Sequence, residues 1–434
     1  MVAKEIIDSK RQGAELAESD IRAFIAGFVS GEIPDYQMSA LAMAICCRGM
    51  TAGETAVLTD AMMRSGSMLE WGEGLPVADK HSTGGVGDKL SLVIQPLAAA
   101  CGLRVPSLTG RGLGITGGTA DKLETIPGYN ASLSLARFRE IVAAVGVSMT
   151  VQTGEICPAD KKLYALRDVT GTVASIPLIT SSILSKKLAE GAGTLVFDVK
   201  CGKGAFMRTF DDAEALARSL VDSSRAAGRK ALALVTRMDA PLGRAVGNAN
   251  EVAEALAMLR GEWDWALEPL PLCVELAARM VALAKEIAVD EARELAWAKL
   301  KSGEAARFFE DMVMAQGGDL EAFAAHRAGA KTHRFRICAP RSGYIEGIDA
   351  LTAGQVALAL GAGRKTAGER IDPYAGIDLE VAVGDHVLTG APLATLVTAT
   401  LPDSLEQEAA KLLAAFSFSR EKPDTKPLIM EEVA

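Results

Sequence analysis

Positive charge is in short supply in this chain. Its 46 lysines and arginines are outnumbered by 55 aspartates and glutamates, which leaves a net charge of -9. A broad nucleic-acid footprint is normally basic, so the balance argues against that class of partner. It does not exclude a small anionic substrate, because a local pocket can be positive inside an acidic protein. Aromatic residues make up 5% and there are four histidines. No apolar run reaches the ~18–20 residues that a membrane span needs, so no membrane partner is expected. The first residues, "MVAKEIIDSKRQGAELAESD", are charged and lack the apolar core of a secretion signal, which makes a cytoplasmic location the expectation. Seven cysteines show neither a CxxC pair nor zinc spacing and are expected to be reduced, buried thiols.

What is plentiful is alanine, leucine and glycine, with 42 of the last, a composition for helices joined by Gly-rich loops. A length of 434 residues allows two to four domains. Residues 1–65 read as helices: Ile21, Phe24, Ile25 and Phe28 fall at i, i+3, i+4 and i+7, a second helix follows Pro34, and "TAGE" from Thr51 has capping-box spacing. From about residue 75, strands such as "LPVADK", "LRVPSL" and "TLVFDVK" alternate with Gly-rich turns and helices, the pattern of a mainly parallel sheet. Pro158 and Pro177 start two further helices that resemble the N-terminal ones, and Gly191 ends the second. The tail carries short β runs, "APRSGYIEGI" and "LEVAVGDHVLTGAPLATLV", the latter like a barrel-sandwich hairpin without a carrier's exposed acceptor lysine. The expected class is α/β. A helical domain (1–65 plus about 158–191) joins a large α/β domain (66–157 plus 192–334) and a C-terminal β-rich subdomain (335–434).

Two stretches have the equipment for an anion. "DKHSTGGVGDKLS" (Asp79 to Ser91) reads as a strand ending at Lys80, a Gly loop and a helix. Glycines let backbone approach a ligand, the helix N-terminus is partially positive, and Lys80, Ser82 and Ser91 add charge and hydroxyls. It matches neither the Walker A spacing nor GxGxxG. "RVPSLTGRGLGITGGTADKLETIPG" (Arg104 to Gly128) repeats the plan, with a helix from about Thr119 and hydroxyls at Ser107, Thr109 and Thr119. Both loops would sit at the carboxyl edges of neighbouring strands, where open α/β sheets bind ligands.

The two later helices offer different groups. Asp160, Tyr164 and Arg167 share one helix face, and Ser182 and Lys186 share another. Solvated charged faces use the same spacing. An Arg, a Ser and a Lys could equally read a planar heterocycle with two carbonyls and an N–H between them.

Taken together, "KHSTGGVGD", "GRGLGITGGTADKLETIPG", "ADKKLYALRDVTGTV", "SSILSKK" and "DVKCGKGAFM" resemble the pyrimidine-nucleoside phosphorylase and thymidine phosphorylase family along essentially the whole chain. The resemblance implies reversible phosphorolysis of thymidine, deoxyuridine or uridine to free base and (deoxy)ribose 1-phosphate by a homodimer, with inorganic phosphate as co-substrate and no organic cofactor. It implies phosphate contacts at Lys80, Ser82, Ser91, Thr109 and Thr119, to which the second loop's own reading adds the hydroxyl of Ser107. Base contacts are implied at Arg167, Ser182 and Lys186, with Leu113, Val173, Ile179 and Phe206 lining the apolar side, and Tyr164 joins the substrate-binding candidates from its place on the Arg167 face. His81, Arg167 and Lys186 become the catalytic candidates, His81 as a proton donor to O2 with an imidazole pKa of ~6.5. Three positions depart from the family: Thr109 replaces serine, Ile115 replaces histidine, and Lys89 replaces a threonine. That threonine helps hold a potassium ion, for which Gly87, Leu242, Ala245 and Glu254 match the other ligands. The expectation is that the Lys89 ammonium takes the ion's place. Alternatives are a strict thymidine phosphorylase, anthranilate phosphoribosyltransferase-like chemistry on the same fold, or a non-catalytic nucleoside- or phosphate-binding relative.

Overall fold

A computed structural model describes residues 2–112, 117–262, 268–364, 369–400, 405–424 and 426–434. The first unit packs α1 (Ala3–Arg11), α2 (Glu18–Ser30), α3 (Asp35–Arg48) and α4 (Ala52–Met63). The periodic face read from the sequence is the buried one: Ile21, Phe24, Ile25 and Phe28 all enter its core. Both capping-box bonds are made at Thr51 and Glu54. The Glu54 carboxylate also accepts from Leu16 N and pairs with the buried Lys10 at 2.7 Å, so one carboxylate ties three segments.

The chain then enters the α/β unit through β1 (Ala78–Ser82), α5 (Leu90–Ala100), β2 (Val105–Thr109), α6 (Thr119–Leu123), α7 (Leu135–Val145) and β3 (Val147–Val151). The first strand runs past Lys80 through His81 to Ser82, because His81 pairs with Phe197 and Ser82 with Asp198 on the neighbouring strand. Next come α8 (Pro158–Thr170) and α9 (Ile176–Ala189), each with its proline in the first turn as expected. Ala159, Leu163 and Leu178 join the N-terminal helical core. Farther along α9, Ile183, Leu184 and Leu188 pack into the core under the α/β sheet. This helix therefore serves both units, which its all-round apolar sequence could not reveal.

The remainder of the sheet is β4 (Thr194–Cys201), α10 (Phe210–Ala226) and β5 (Lys230–Arg237). Strands β1, β4 and β5 are parallel, and β2 pairs in parallel with β3, as the alternating pattern predicts. A parallel bridge between Val77 and Arg104 sets β1 beside β2, so both Gly loops leave the same edge. After β6 (Ala245–Gly247) come helices α11 (Ala249–Leu259), α12 (Leu270–Lys285), α13 (Val289–Lys301), α14 (Glu304–Ala315) and α15 (Leu320–Gly329), of which α12 packs on β1, β4 and β5.

The C-terminal region contains β7 (His333–Cys338), β8 (Gly343–Ile348), α16 (Ala350–Ala359), β9 (Gly376–Leu379), β10 (His386–Val387), β11 (Pro392–Thr398), α17 (Leu405–Ala414), β12 (Phe416–Ser419) and β13 (Ile429–Val433). The run read as one hairpin divides: β10 joins β8, whereas β11 pairs with β7 and β9. Strand β6 extends this C-terminal sheet, and β13 returns to pair antiparallel with β5. All seven cysteines are free, but burial is not general: Cys47 and Cys338 are exposed and Cys46 is half-buried. Cys47 lies on an outward face of α3 and Cys338 ends the edge strand β7, positions that no core requires to be filled. Among the described residues no helix is long and apolar enough to cross a membrane.

Candidate active site

One cleft gathers residues from both Gly loops and both later helices. Lys80, Ser82, Ser91, Ser107, Thr109 and Thr119 line one part of it, and Tyr164, Arg167, Val173, Ile179, Ser182 and Phe206 line the other, with His81 also on its wall. Leu113 and Ile115 lie outside the described residues.

The cradle is built on buried charge. The Lys80 ammonium is 3.5 Å from both Asp198 Oδ2 and Ser91 Oγ, a loose hold that leaves its donors available. Asp198 is held more tightly by Lys200 at 2.7 Å and by the Thr236 hydroxyl at 2.6 Å. Ser82 donates to Asp88 Oδ2 at 2.5 Å and would turn to donate to an anion. Burial alone would raise Asp88, but the ammoniums of Lys80, Lys200 and Lys122 outweigh it and hold the carboxyl well below its usual range. Gly118 permits the close approach of the second loop: a Cβ there would fall 2.1 Å from Gly112 N.

At the other end, Arg167 is clamped by three backbone carbonyls. Its Nε donates to Thr172 O at 3.0 Å, Nη1 to Leu178 O at 3.0 Å and Nη2 to Val173 O at 2.7 Å. Its position is thus fixed by the turn joining α8 to α9, with further N–H donors left for a ligand. Lys186 donates to Asp160 Oδ2 at 2.5 Å and to Ser182 O at 2.5 Å, which holds its ammonium beside the Ser182 hydroxyl at 3.1 Å. Lys186 does not itself line the cleft, but its side chain keeps 14% exposure and its ammonium reaches the hydroxyl of Ser182, which does.

His81 departs from expectation in its charge. Burial, then the ammoniums of Lys187, Lys186 and Lys80, push its pKa well below 6.5. In the free protein it is a neutral imidazole, an N–H donor rather than an acid ready to transfer a proton.

The positions matching potassium ligands do not fit that ion as they stand. Lys89 Nζ donates to Leu242 O at 2.7 Å, Ala245 O at 3.0 Å and Glu254 Oε2 at 2.7 Å. Its side chain is fully buried, so the ammonium fills the space among these oxygens.

Sequence reasoning missed several participants. Asp88 and Lys200 stand inside "DKHSTGGVGDKLS" and "DVKCGKGAFM", where a charged residue in a glycine-bearing stretch is the available signal. Asp160 was placed on the right face without its role as the anchor of Lys186. Arg111, Ile183 and Leu216 also line the cleft, and for the two apolar residues the sequence carries no signal.

Known proteins resemble this chain along most of its length. Residues 74–306 match the glycosyl transferase family a/b domain, residues 4–66 its helical bundle domain, and residues 344–419 the pyrimidine nucleoside phosphorylase C-terminal domain. Thymidine phosphorylase of Mycobacterium tuberculosis is 45% identical over 433 residues, covering 99% of this chain and 98% of that protein. Pyrimidine-nucleoside phosphorylase of Geobacillus stearothermophilus is 46% identical over 396 residues, covering 90% and 91%. The crystal structure of anthranilate phosphoribosyltransferase from Thermus thermophilus shares the fold, with a TM-score of 0.58 at 20% identity over 72% of this chain and 99% of that one. With a matching family domain over more than half its length and relatives this similar end to end, the chain belongs to the thymidine and pyrimidine-nucleoside phosphorylase family.

Proposed function

We propose that the protein catalyses reversible phosphorolysis of pyrimidine nucleosides, releasing the base and forming a pentose 1-phosphate. The observation that carries this reading is the two-part cleft, an ammonium-and-hydroxyl cradle facing an Arg–Ser–Lys group. Phosphate held by Lys80, Ser82, Ser91, Ser107, Thr109 and Thr119 attacks C1′. The C1′–N1 bond breaks as the C1′–O bond forms, and the electron pair leaves with the base. Arg167 and Lys186 stabilise the anionic pyrimidine, an effect typically worth about 3–4 kcal/mol for one well-placed donor. Phosphate is both nucleophile and counter-ion to the cationic sugar. Its arrival beside His81 opposes the field of the lysines and raises the imidazole toward protonation, so this residue becomes an acid near O2 once the anion is bound. Tyr164, Val173, Ile179 and Phe206 form the apolar wall for the base, and no organic cofactor enters.

The Lys89 ammonium replaces a potassium ion in this scheme. A homodimer through the helical unit and a cytoplasmic location belong to the same proposal. The exposed apolar side chains of Val29, Tyr36 and Met43 on α2 and α3 support the first.

Purified protein incubated with thymidine, deoxyuridine or uridine, with and without inorganic phosphate, tests the reading by chromatography of the free base. Phosphate-dependent release from all three supports a broad pyrimidine-nucleoside enzyme, and release from the two deoxynucleosides alone supports a thymidine phosphorylase. No release from any of them overturns the proposal.

A further inference from the structure

Helix α11 lies outside the cleft but carries two buried carboxylates that reach both phosphate loops. Glu251 and Glu254 stand three residues apart, on one face of the helix. Each is fixed on its own side by backbone. Glu251 Oε1 accepts from Gly247 N at 2.9 Å, and Glu254 accepts from Arg244 N at 2.8 Å and Ala245 N at 2.7 Å. Each then meets one lysine. Glu254 takes Lys89, the residue before α5 in the first loop–helix unit. Glu251 Oε2 is 2.7 Å from Lys122 Nζ, an ion pair rather than an aligned hydrogen bond, and Lys122 belongs to α6 of the second unit. Lys122 is completely buried and does not line the cleft, so it has no direct contact to offer a substrate.

Its remaining contacts give it another use. Lys122 Nζ donates to the Asp88 carbonyl of the first loop at 2.7 Å. It also packs under the second loop, where a Cβ on Gly117 would lie 3.2 Å from Lys122 Cε. One lysine side chain therefore meets both loops, its ammonium at the first and its stem at the second, and one helix holds that ammonium. Asp88 in turn receives the Ser82 hydroxyl, and the second loop leads into Thr119.

We propose that Lys122 and Glu251 are positioning residues that hold the two phosphate loops in register. The proposal rests on phosphate as the occupant of the cradle. A buried ion pair need not stabilise a fold, and replacing both partners by apolar groups is often neutral. That property separates a structural role from a positioning one.

The experiment compares wild type, Lys122→Met, Glu251→Met and the double variant Lys122→Met/Glu251→Met by melting temperature, nucleoside KM and phosphate KM. The double variant is expected to melt near wild type. Its phosphate KM should still rise by about tenfold, since small misplacements of binding groups are costly. Nucleoside KM should change far less. A double variant with wild-type phosphate KM overturns the proposal. If the double variant does not fold, Glu251→Asp keeps the charge and shortens the reach, and an unchanged phosphate KM in it overturns the proposal equally. Calorimetric titration with inorganic phosphate reads the same effect without turnover. If wild type binds phosphate but releases no base, the phosphorolysis reading fails while the clamp is still tested. If it binds no phosphate, both fail.

Discussion

Asp79 and Glu190 share a single cation. The buried Lys187 ammonium contacts Asp79 Oδ2 and lies 3.3 Å from Glu190 Oε2. Asp79 is on β1 and Lys187 and Glu190 are at the end of α9, so the group joins the cradle strand to the base-binding helix. Burial and then the Asp79 charge raise the Glu190 carboxyl well above 4.5, and its Oε1 has no partner among the described residues. Two carboxylates on one ammonium leave the second best accommodated as the neutral acid.

Glu190→Gln is therefore expected to preserve kcat and both KM values. A group whose pKa is raised by folding contributes stability below its unfolded value and loses it as pH rises through the folded value. For Glu190 that window begins near 4.5 and extends upward. The amide does not ionise, so at pH 8 the variant should melt higher than wild type. Melting curves across pH check this; a variant that melts lower at pH 8 contradicts a neutral Glu190.

Lys89 leads to a prediction about salts. With its ammonium bonded to Leu242 O, Ala245 O and Glu254, turnover should be the same in potassium and in tetramethylammonium buffers. Lys89→Thr removes the ammonium and leaves Glu254 buried without its cation, and that variant should lose activity and recover part of it with added potassium. Wild-type activity that collapses without potassium contradicts the replacement.

Much of the site could be read because its groups are local. The two strand–glycine–helix units, the hydroxyls inside them and the two helix faces are each encoded within a few residues, and all converge on one cleft. What could not be read depends on distant partners. The extent of β1 follows from pairing with Phe197, the division of α9 from two cores that meet on one helix, and the Lys122–Glu251 contact from the path of α11. The lowered pKa of His81 follows from burial and then from the ammoniums of Lys187 and Lys186 on α9, neither of which the residues around His81 reveal.

Arg167 is expected to tolerate no replacement by lysine. Its three carbonyl bonds need the fork of a guanidinium, which an ammonium cannot supply. Arg167→Lys should lower kcat/KM for the nucleoside by roughly 10²–10³, the usual effect of losing one charge-stabilising donor. Phosphate affinity should be nearly unchanged, because the cradle lies at the other end of the cleft. Calorimetric phosphate binding beside steady-state kinetics distinguishes this from general damage, which would lower both.

His81 gives a test of pH. Its pKa lies well below 6.5 in the folded protein, so an isotope-labelled His81 ring signal should stay at its neutral position from pH 8 to below 6.5. Adding phosphate should bring its titration upward, because the anion offsets the lysines that depress it. The sign for stability follows from the same depression. The unfolded chain binds this proton near 6.5 and the folded one does not, so the stability present above 6.5 is lost as pH falls from there through the folded value. His81→Gln removes that loss, and its melting temperature should fall less than that of wild type between pH 7 and pH 5. A His81 signal that titrates near 6.5 without phosphate would mean that the cleft wall and its lysines do not depress the imidazole, and its role would revert to that of an ordinary acid.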